Sequence, residues 1–349
     1  MTDEFLIENP RSDRVKKVAA LATRAGRKKQ KLFQAEGPQP VREALALWLR
    51  RWDEPDTFAT TADPRDSGRR RAQLAPVWCL PEVDALYFDP EALQQHPDIE
   101  ALLDRVREVL FDPERQLPRE ARIFLREATS EVLKAMGDAE TSQGMIAVCR
   151  IPELEFEGLD SLLVGMSAST VQVTSEGSTQ GASVNYPPVQ LAPVLAGVQD
   201  PGNVGTLIRT ADAAGAGVVI LTPGSSDPWA PKVVRAAAGS HFHVPIASGI
   251  DLQQLTDFVR SNGGQVLAAD GYGDVSLAQL QAEGGAGLVP PTYWLLGNEA
   301  HGLSDQEKAL ADQRVSIPLY GQAESLNVAV AGALCLYASA TAQHAGEGA

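Results

Sequence analysis

Arg209 is the first side chain in this 349-residue chain whose surroundings suggest chemistry. It lies in LAPVLAGVQDPGNVGTLIRTADAA, residues 191–214, where the apolar run Leu191–Val198 reads as a buried strand and Asp200, Pro201 and Gly202 stop it. Asn203 then reads as a helix N-cap. Val204, Leu207, Ile208 and Ala211 form the apolar stripe of that helix, and Gly215 its C-terminal stop. Arg209 falls off the stripe, so its guanidinium is expected over the loop side of a strand–turn–helix unit, where open α/β sheets keep their ligand sites. A glycine turn of this kind is more often a plain connection. Two further segments bear on the choice: WLLGNEAHGL, residues 294–303, and VSIPLYGQAESLNVA, residues 315–329.

In the first of these a strand ends in Gly297, which lets backbone come close to a ligand, and Asn298 and Glu299 follow. In the second, Ile317, Pro318 and Leu319 end a strand, and Ser325, Leu326 and Asn327 open a helix beyond Gly321. Taken singly, these are ordinary loop ends of an α/β sheet, with Ser325 a routine N-cap and Glu299 a capping or ion-paired carboxylate. Taken together and in this order, the three segments resemble the motifs of the SpoU family of knotted RNA 2′-O-ribose methyltransferases, over Leu191 to roughly Ala340.

That resemblance implies S-adenosylmethionine as cofactor, contacted at Gly297, Ile317, Leu319 and Leu326 largely through backbone groups. The family pattern Asn-x-Gly-x-x-x-Arg is matched by Asn203, Gly205 and Arg209, and assigns the arginine to activating the ribose hydroxyl. A guanidinium keeps its proton near neutral pH, so the role expected for Arg209 is to clamp the RNA phosphate and stabilise developing alkoxide charge. Asn203, Glu299, Ser325 and Asn327 complete the polar set expected at the catalytic centre. The resemblance also implies a C-terminal trefoil knot and a homodimer formed through the C-terminal region. It implies structured RNA as substrate, ribosomal RNA ahead of transfer RNA. Two other readings are a non-catalytic RNA-binding protein retaining this fold and a nucleotide-cofactor oxidoreductase. The oxidoreductase lacks its Gly-x-Gly-x-x-Gly turn after the first strand.

No metal is expected. His241 and His243 would share a face if their segment were a strand, but two ligands do not make a site; His301 reads as loop packing or a substrate contact. Cys79, Cys149 and Cys335 are odd in number and far apart, which suits a reducing cytoplasm. The opening MTDEFLIENP is not expected to act as a secretion signal, and no apolar stretch reaches the length of a membrane span. A net charge of −15 argues against a general nucleic-acid binder. The charge is nevertheless uneven: residues 1–31 hold nine basic residues against four acidic ones. Residues 11–31 read as a basic helix, either a solvated face or a phosphate-contacting surface, with Val15 and Val18 on its apolar side.

Stepping outward, the elements alternate strand and helix from residue 191 on, with strands near 191–198, 217–221, 243–246, 266–269, 293–296 and 315–317. Helices are expected near 204–214, 230–238, 251–261, 304–311 and 325–341. Strands apolar throughout imply a mostly parallel sheet covered on both faces, an α/β class. The segment from Ile7 to Leu45 is similar to the opening of the small α/β, ribosomal-protein-like RNA-binding domain that precedes many SpoU catalytic domains. Strands at 85–88 and 145–150 and helices at 98–110 and 129–136 would complete it. Polar residues 52–76 read as a loop, and Ser/Thr/Gly-rich residues 166–188 as a linker or surface insertion. The expected division is 1–153, an RNA substrate-binding domain; 154–190, linker or insertion; and 191–349, the methyltransferase domain.

Overall fold

A computed structural model describes residues 6–53, 75–173, 179–282 and 285–345, with only the backbone for 166–185. The polar loop read over 52–76 falls almost wholly outside these residues. The chain forms two compact units, Met1–Glu153 with Asp227–His243, and Leu154–Ser226 with Val244–Ala349.

Unit 1 is built on five strands: β1 Leu6–Ile7, β2 Leu32–Glu36, β3 Glu82–Phe88, β4 Phe124–Ala128 and β5 Met145–Arg150, in the order β1-β4-β3-β5-β2. β5 runs antiparallel to both neighbours, whereas β1, β4 and β3 are mutually parallel. One face packs Ala85, Tyr87, Ile146 and Val148 against Val15 and Val18 from one helix and Val132, Leu133 and Met136 from another. The basic segment 11–31 is not one helix. Helix Asp13–Ala19 passes into a single 3₁₀ turn, and Thr23 is extended and caps a second helix, Arg24–Gln30, by accepting the Gly26 amide. The break is steric as well: a Cβ on Gly26 would lie 1.9 Å from the Ala20 carbonyl oxygen.

Arg27, part of the basic segment read as either a solvated face or a phosphate-contacting surface, is buried in unit 1. Its guanidinium donates to Asp227 at 2.6 and 3.0 Å and to the Leu21 and Ala22 carbonyls at 2.7 and 3.0 Å. Trp229, from the same late segment as Asp227, packs its ring 4.9 Å from Phe33, the two planes tilted by 45°.

Unit 2 carries a parallel sheet of β8 Leu191–Leu195, β9 Val219–Leu221, β10 Ile246–Ser248, β11 Gln265–Ala269, β12 Val275–Ser276, β13 Thr292–Leu296 and β14 Gln313–Ser316. The order is β10-β9-β8-β13-β11-β14-β12 and every pairing is parallel. The central strands are buried on both faces, as continuous apolar runs require. Within the stretch read as a linker or surface insertion, the backbone pairs as antiparallel strands β6 Met166–Val173 and β7 Thr179–Tyr186. Thr and Val at several of these positions suit strand pairing as well as they suit a linker.

The C-terminal helix, Val328–His344, lies on the sheet, and its approach is close. A Cβ on Gly332 would meet Leu207 at 2.5 Å and Leu296 at 2.8 Å. The buried Trp294 ring donates to the Ser339 hydroxyl at 2.9 Å, which satisfies the one polar group of that indole.

Candidate functional site

The chain runs outward from β8 through β9 to β10 and then returns to the other side of the sheet, so β8 and β13 flank the point where strand order reverses. Parallel strands end on the same edge, and a reversal leaves a crevice beyond their carboxyl ends. Leu195 and Leu296 are paired in register, so the loops that leave them, 196–200 and 297–303, begin side by side. The first loop enters helix Pro201–Ala213. Asp200 caps that helix, accepting the Asn203 amide at 3.0 Å, with Pro201 at its first position. Asn203 therefore sits in the first turn of the helix and not at its cap. The proline's fixed φ suits the first helical position and moves the start upstream.

Freed from capping, the Asn203 carboxamide joins the three segments. Its Nδ2 donates to Glu299 Oε1 at 3.0 Å, and its Oδ1 accepts from Asn327 Nδ2 at 2.9 Å. Glu299 also accepts the backbone amides of Gln199, at 3.0 Å, and Asp200, at 2.9 Å. Burial alone would raise the Glu299 pKa. The bonds from Asn203 and from the amides of Gln199, Asp200 and Glu299 itself outweigh it and hold the carboxyl below its usual range. Glu299 is thus a standing anion that fastens one loop to the other.

Asn298 was not singled out by sequence, yet it organises its own loop. Its Oδ1 accepts the amides of Ala300 and His301, and its Nδ2 donates to the Gly197 carbonyl at 2.8 Å. The signal available was an Asn at a strand end four residues before Gly302, which takes φ +64°. Gly297 has a packing reason for its identity, since a Cβ there would lie 2.5 Å from the Gly302 carbonyl carbon.

Asn327 caps the C-terminal helix by accepting the amides of Ala329 and Val330, so the helix opens at Val328 and not at Ser325. Ser325 is exposed and makes no hydrogen bond among the described residues. Ile317 and Leu326 are half-buried, while Leu319 is 39% exposed. Ile317 directly follows β14, which is separated from β13 only by β11. Arg209 is exposed on its helix, and its side chain has no hydrogen bond or ion pair among the described residues. The fold therefore joins Asn203, Glu299 and Asn327 by direct bonds, and leaves Arg209 and Ser325 outside that network.

His241 and His243 make contacts inside unit 1. His241 and His243 fall in and after a 3₁₀ turn, Ser240–Phe242, not in a strand, so they do not share a strand face. His241 is fully buried and donates from Nε2 to the Pro228 carbonyl at 2.8 Å, and burial pushes its pKa down to about 4. His243 meets Glu43 at 3.0 Å. Among the described residues, no three potential ligands come together as a metal site. The three cysteines are buried and unpaired, with burial raising the Cys79 and Cys335 thiols to about 12.

Fold and site together define an open parallel α/β domain with an amide–carboxylate network at its switch point. The chain matches the SpoU rRNA Methylase family over residues 190–337. It is 31% identical over 234 residues to the 23S rRNA (guanosine(2553)-2′-O)-methyltransferase RlmP of Bacillus subtilis, covering 66% of this chain and 79% of that protein. It is 33% identical over 195 residues to the 23S rRNA (guanosine-2′-O-)-methyltransferase RlmB of Pseudomonas syringae pv. tomato, covering 54% and 75%. The fold is shared with the AdoMet-bound rRNA methyltransferase of Sinorhizobium meliloti, with a TM-score of 0.64, 23% identity and 96% of each chain covered. This chain belongs to the SpoU methylase family.

Proposed function

We propose that this chain transfers the methyl group of S-adenosylmethionine to the ribose 2′-hydroxyl of a nucleotide in structured RNA, ribosomal RNA ahead of transfer RNA. The observation that carries the reading is the bonded chain Asn327–Asn203–Glu299, which ties together the three separated segments that resemble the SpoU motifs. The cofactor supplies an electrophilic methyl group on a sulfonium. Gly297, Ile317, Leu319 and Leu326 would hold it. The fit is chemical: all four are apolar, half-buried Ile317 and Leu326 offer contact surface, and a neutral purine needs apolar walls with a few backbone hydrogen bonds.

Arg209 is free to meet RNA because nothing in its own domain holds it among the described residues. Its fixed charge clamps the phosphate beside the reacting ribose and stabilises the alkoxide as the hydroxyl proton leaves. Asn203, Glu299 and Asn327 hold the loops that frame this centre, and Ser325, exposed ahead of the C-terminal helix, faces substrate. The same reading makes 1–153 the RNA substrate-binding domain, 154–190 its connection, and 191–349 the catalytic domain with a trefoil knot, working in the cytoplasm. It also pairs two copies through the C-terminal helix. There Val330, Leu334 and Tyr337 stand 50, 44 and 50% exposed along one stripe at i, i+4 and i+7.

The test is methyl transfer from labelled S-adenosylmethionine to ribosomal RNA, read as alkali-resistant 2′-O-methyl dinucleotides. The wild type is expected to incorporate label. Arg209→Lys is expected to lose at least about 100-fold in turnover, because a point charge cannot reproduce the planar fork, while cofactor affinity measured by calorimetry stays within about twofold. Wild-type turnover in Arg209→Lys would refute the role of the guanidinium, and label-free RNA with the wild type would refute the activity.

A further inference from the structure

Unit 1 holds a cleft of about 350 Å³ on the face of its sheet, lined by Arg14, Lys17, Gln30, Leu32, Asp84 and Tyr87 above a floor that includes Val18, Leu21 and Val148. We propose that this cleft seats a single unstacked nucleotide of the RNA substrate, base on the apolar floor and phosphate against Arg14 and Lys17. The inference rests on the RNA-methyltransferase reading above.

Charge selects the occupant. In a chain of net charge −15, the rim of this cleft presents two cations. Its one carboxylate, Asp84, is already engaged by Arg150 at 3.2 Å. Lys17 is exposed and its ammonium has no ion pair among the described residues. Arg14 is pre-placed: its guanidinium lies 3.7 Å from the centroid of the Phe124 ring and donates to the Tyr87 hydroxyl at 3.5 Å. A guanidinium stacked in this way keeps its outward donors for a phosphate without losing further freedom on binding.

The polar groups inside the rim suit a base edge. Tyr87 accepts from Arg14 and so keeps its own proton to donate. Gln30 donates one Nε2 proton to the Lys17 carbonyl at 3.0 Å and keeps its Oε1 to accept. One donor and one acceptor beside an apolar floor can read the edge of a purine or a pyrimidine. Size sets the last limit. The cleft holds one nucleotide and no helical stack, so the RNA must offer a base from a loop, bulge or end, as sequence-selective RNA sites generally require.

The test uses the full-length protein and two fluorescein-labelled RNAs of equal length: a hairpin with an unpaired loop, and a fully paired duplex. The wild type is expected to prefer the hairpin. The double variant Arg14→Ser, Lys17→Ser is expected to lose about tenfold or more of hairpin affinity. The control Lys28→Ser, Lys29→Ser, with the same charge change at exposed positions outside the cleft, should lose no more than about threefold. All four side chains are exposed, so folding is not at stake. Equal losses in the two double variants, or equal wild-type affinity for hairpin and duplex, would overturn the cleft. A second measurement needs no variant: a 4-thiouridine in the hairpin loop should photocrosslink to peptides containing residues 14–32 or 84–87, and crosslinks confined to other peptides would overturn it too. If the wild type methylates ribosomal RNA while the cleft variants bind like it, only this inference fails. If the wild type neither binds nor methylates RNA, the functional reading fails with it.

Discussion

Arg27 in unit 1 and Arg209 in unit 2 both belong to short helices, both follow turn residues, and look alike as letters in a sequence. Arg27 is 4% exposed, with four hydrogen bonds that engage Asp227 and two carbonyls. Arg209 is exposed, with no partner among the described residues. The contrast extends to the surroundings. Unit 1 encloses charged and polar groups, including Arg27, Glu36 and His241, and uses them to hold its own segments together. Unit 2 holds its loops with an exposed amide–carboxylate network and leaves the Arg209 side chain without a partner among the described residues. A buried charge with a full set of partners is spoken for, and a cation without partners is available to a ligand.

The sharpest way to break this contrast is to remove both arginines in turn. Arg209→Ala is expected to lower kcat about 10³-fold, roughly 4 kcal/mol of transition-state stabilisation, with an unchanged unfolding temperature. A lowered melting temperature in that variant would mean the side chain has a structural partner. Arg27→Met should do the opposite. Stranding Asp227 and two carbonyls is expected to cost about 3 kcal/mol in denaturant unfolding of unit 1, while turnover per folded molecule holds.

Acid should separate the units as well. Burial depresses the His241 pKa to about 4 in the folded protein against the ordinary imidazole value of 6.5, so its stabilising effect is complete above pH 6.5 and is lost as the pH falls toward 4. By linkage this amounts to about 3 kcal/mol at pH 4. Glu299, also depressed, protects its loops above the ordinary carboxylate value of 4.5 and loses that as the pH falls through its lower folded value. Hydrogen exchange followed from pH 7 to 4 should therefore show unit 1 loosening first. In His241→Gln the early loss should vanish, and an unchanged profile would remove His241 as its cause.

Two smaller effects sharpen the picture. Asn327→Ala removes a cap and the tie to Asn203, and should cost about 1 kcal/mol of local stability, read as faster exchange at Ala329 and Val330. Gln34 is 1% exposed, and neither side-chain polar atom has a partner among the described residues. Gln34→Met keeps the shape and removes that unmet desolvation, so it should raise stability by about 1 kcal/mol in a melting experiment.

Much of the fold was legible because apolar runs reveal period and length. β5 was read as Met145–Arg150, its full extent, because every residue but the last is buried. The parallel class followed from continuous apolar strands. The helix starts were less legible. Pro201 moved one start upstream of Asn203, and Asn327 moved another downstream of Ser325, because a cap is chosen by which side chain can reach the free amides. The pairing of β6 with β7 was hidden by a composition that serves a linker or a surface insertion equally well.

Sequence by itself determined the alternation of elements, the three segments, and the residue types Asn, Glu and Arg within them, since these depend on local propensity and on the order of letters. Only the tertiary structure decided which of those residues touch. Asn203 lies 96 positions before Glu299 and 124 before Asn327, and the three meet because strands β8 and β13 pair in register while the last helix folds back over them. Only the tertiary structure, too, buried Arg27 and exposed Arg209. Solvation and partner geometry are properties of three-dimensional neighbours, and no periodicity along the chain encodes them.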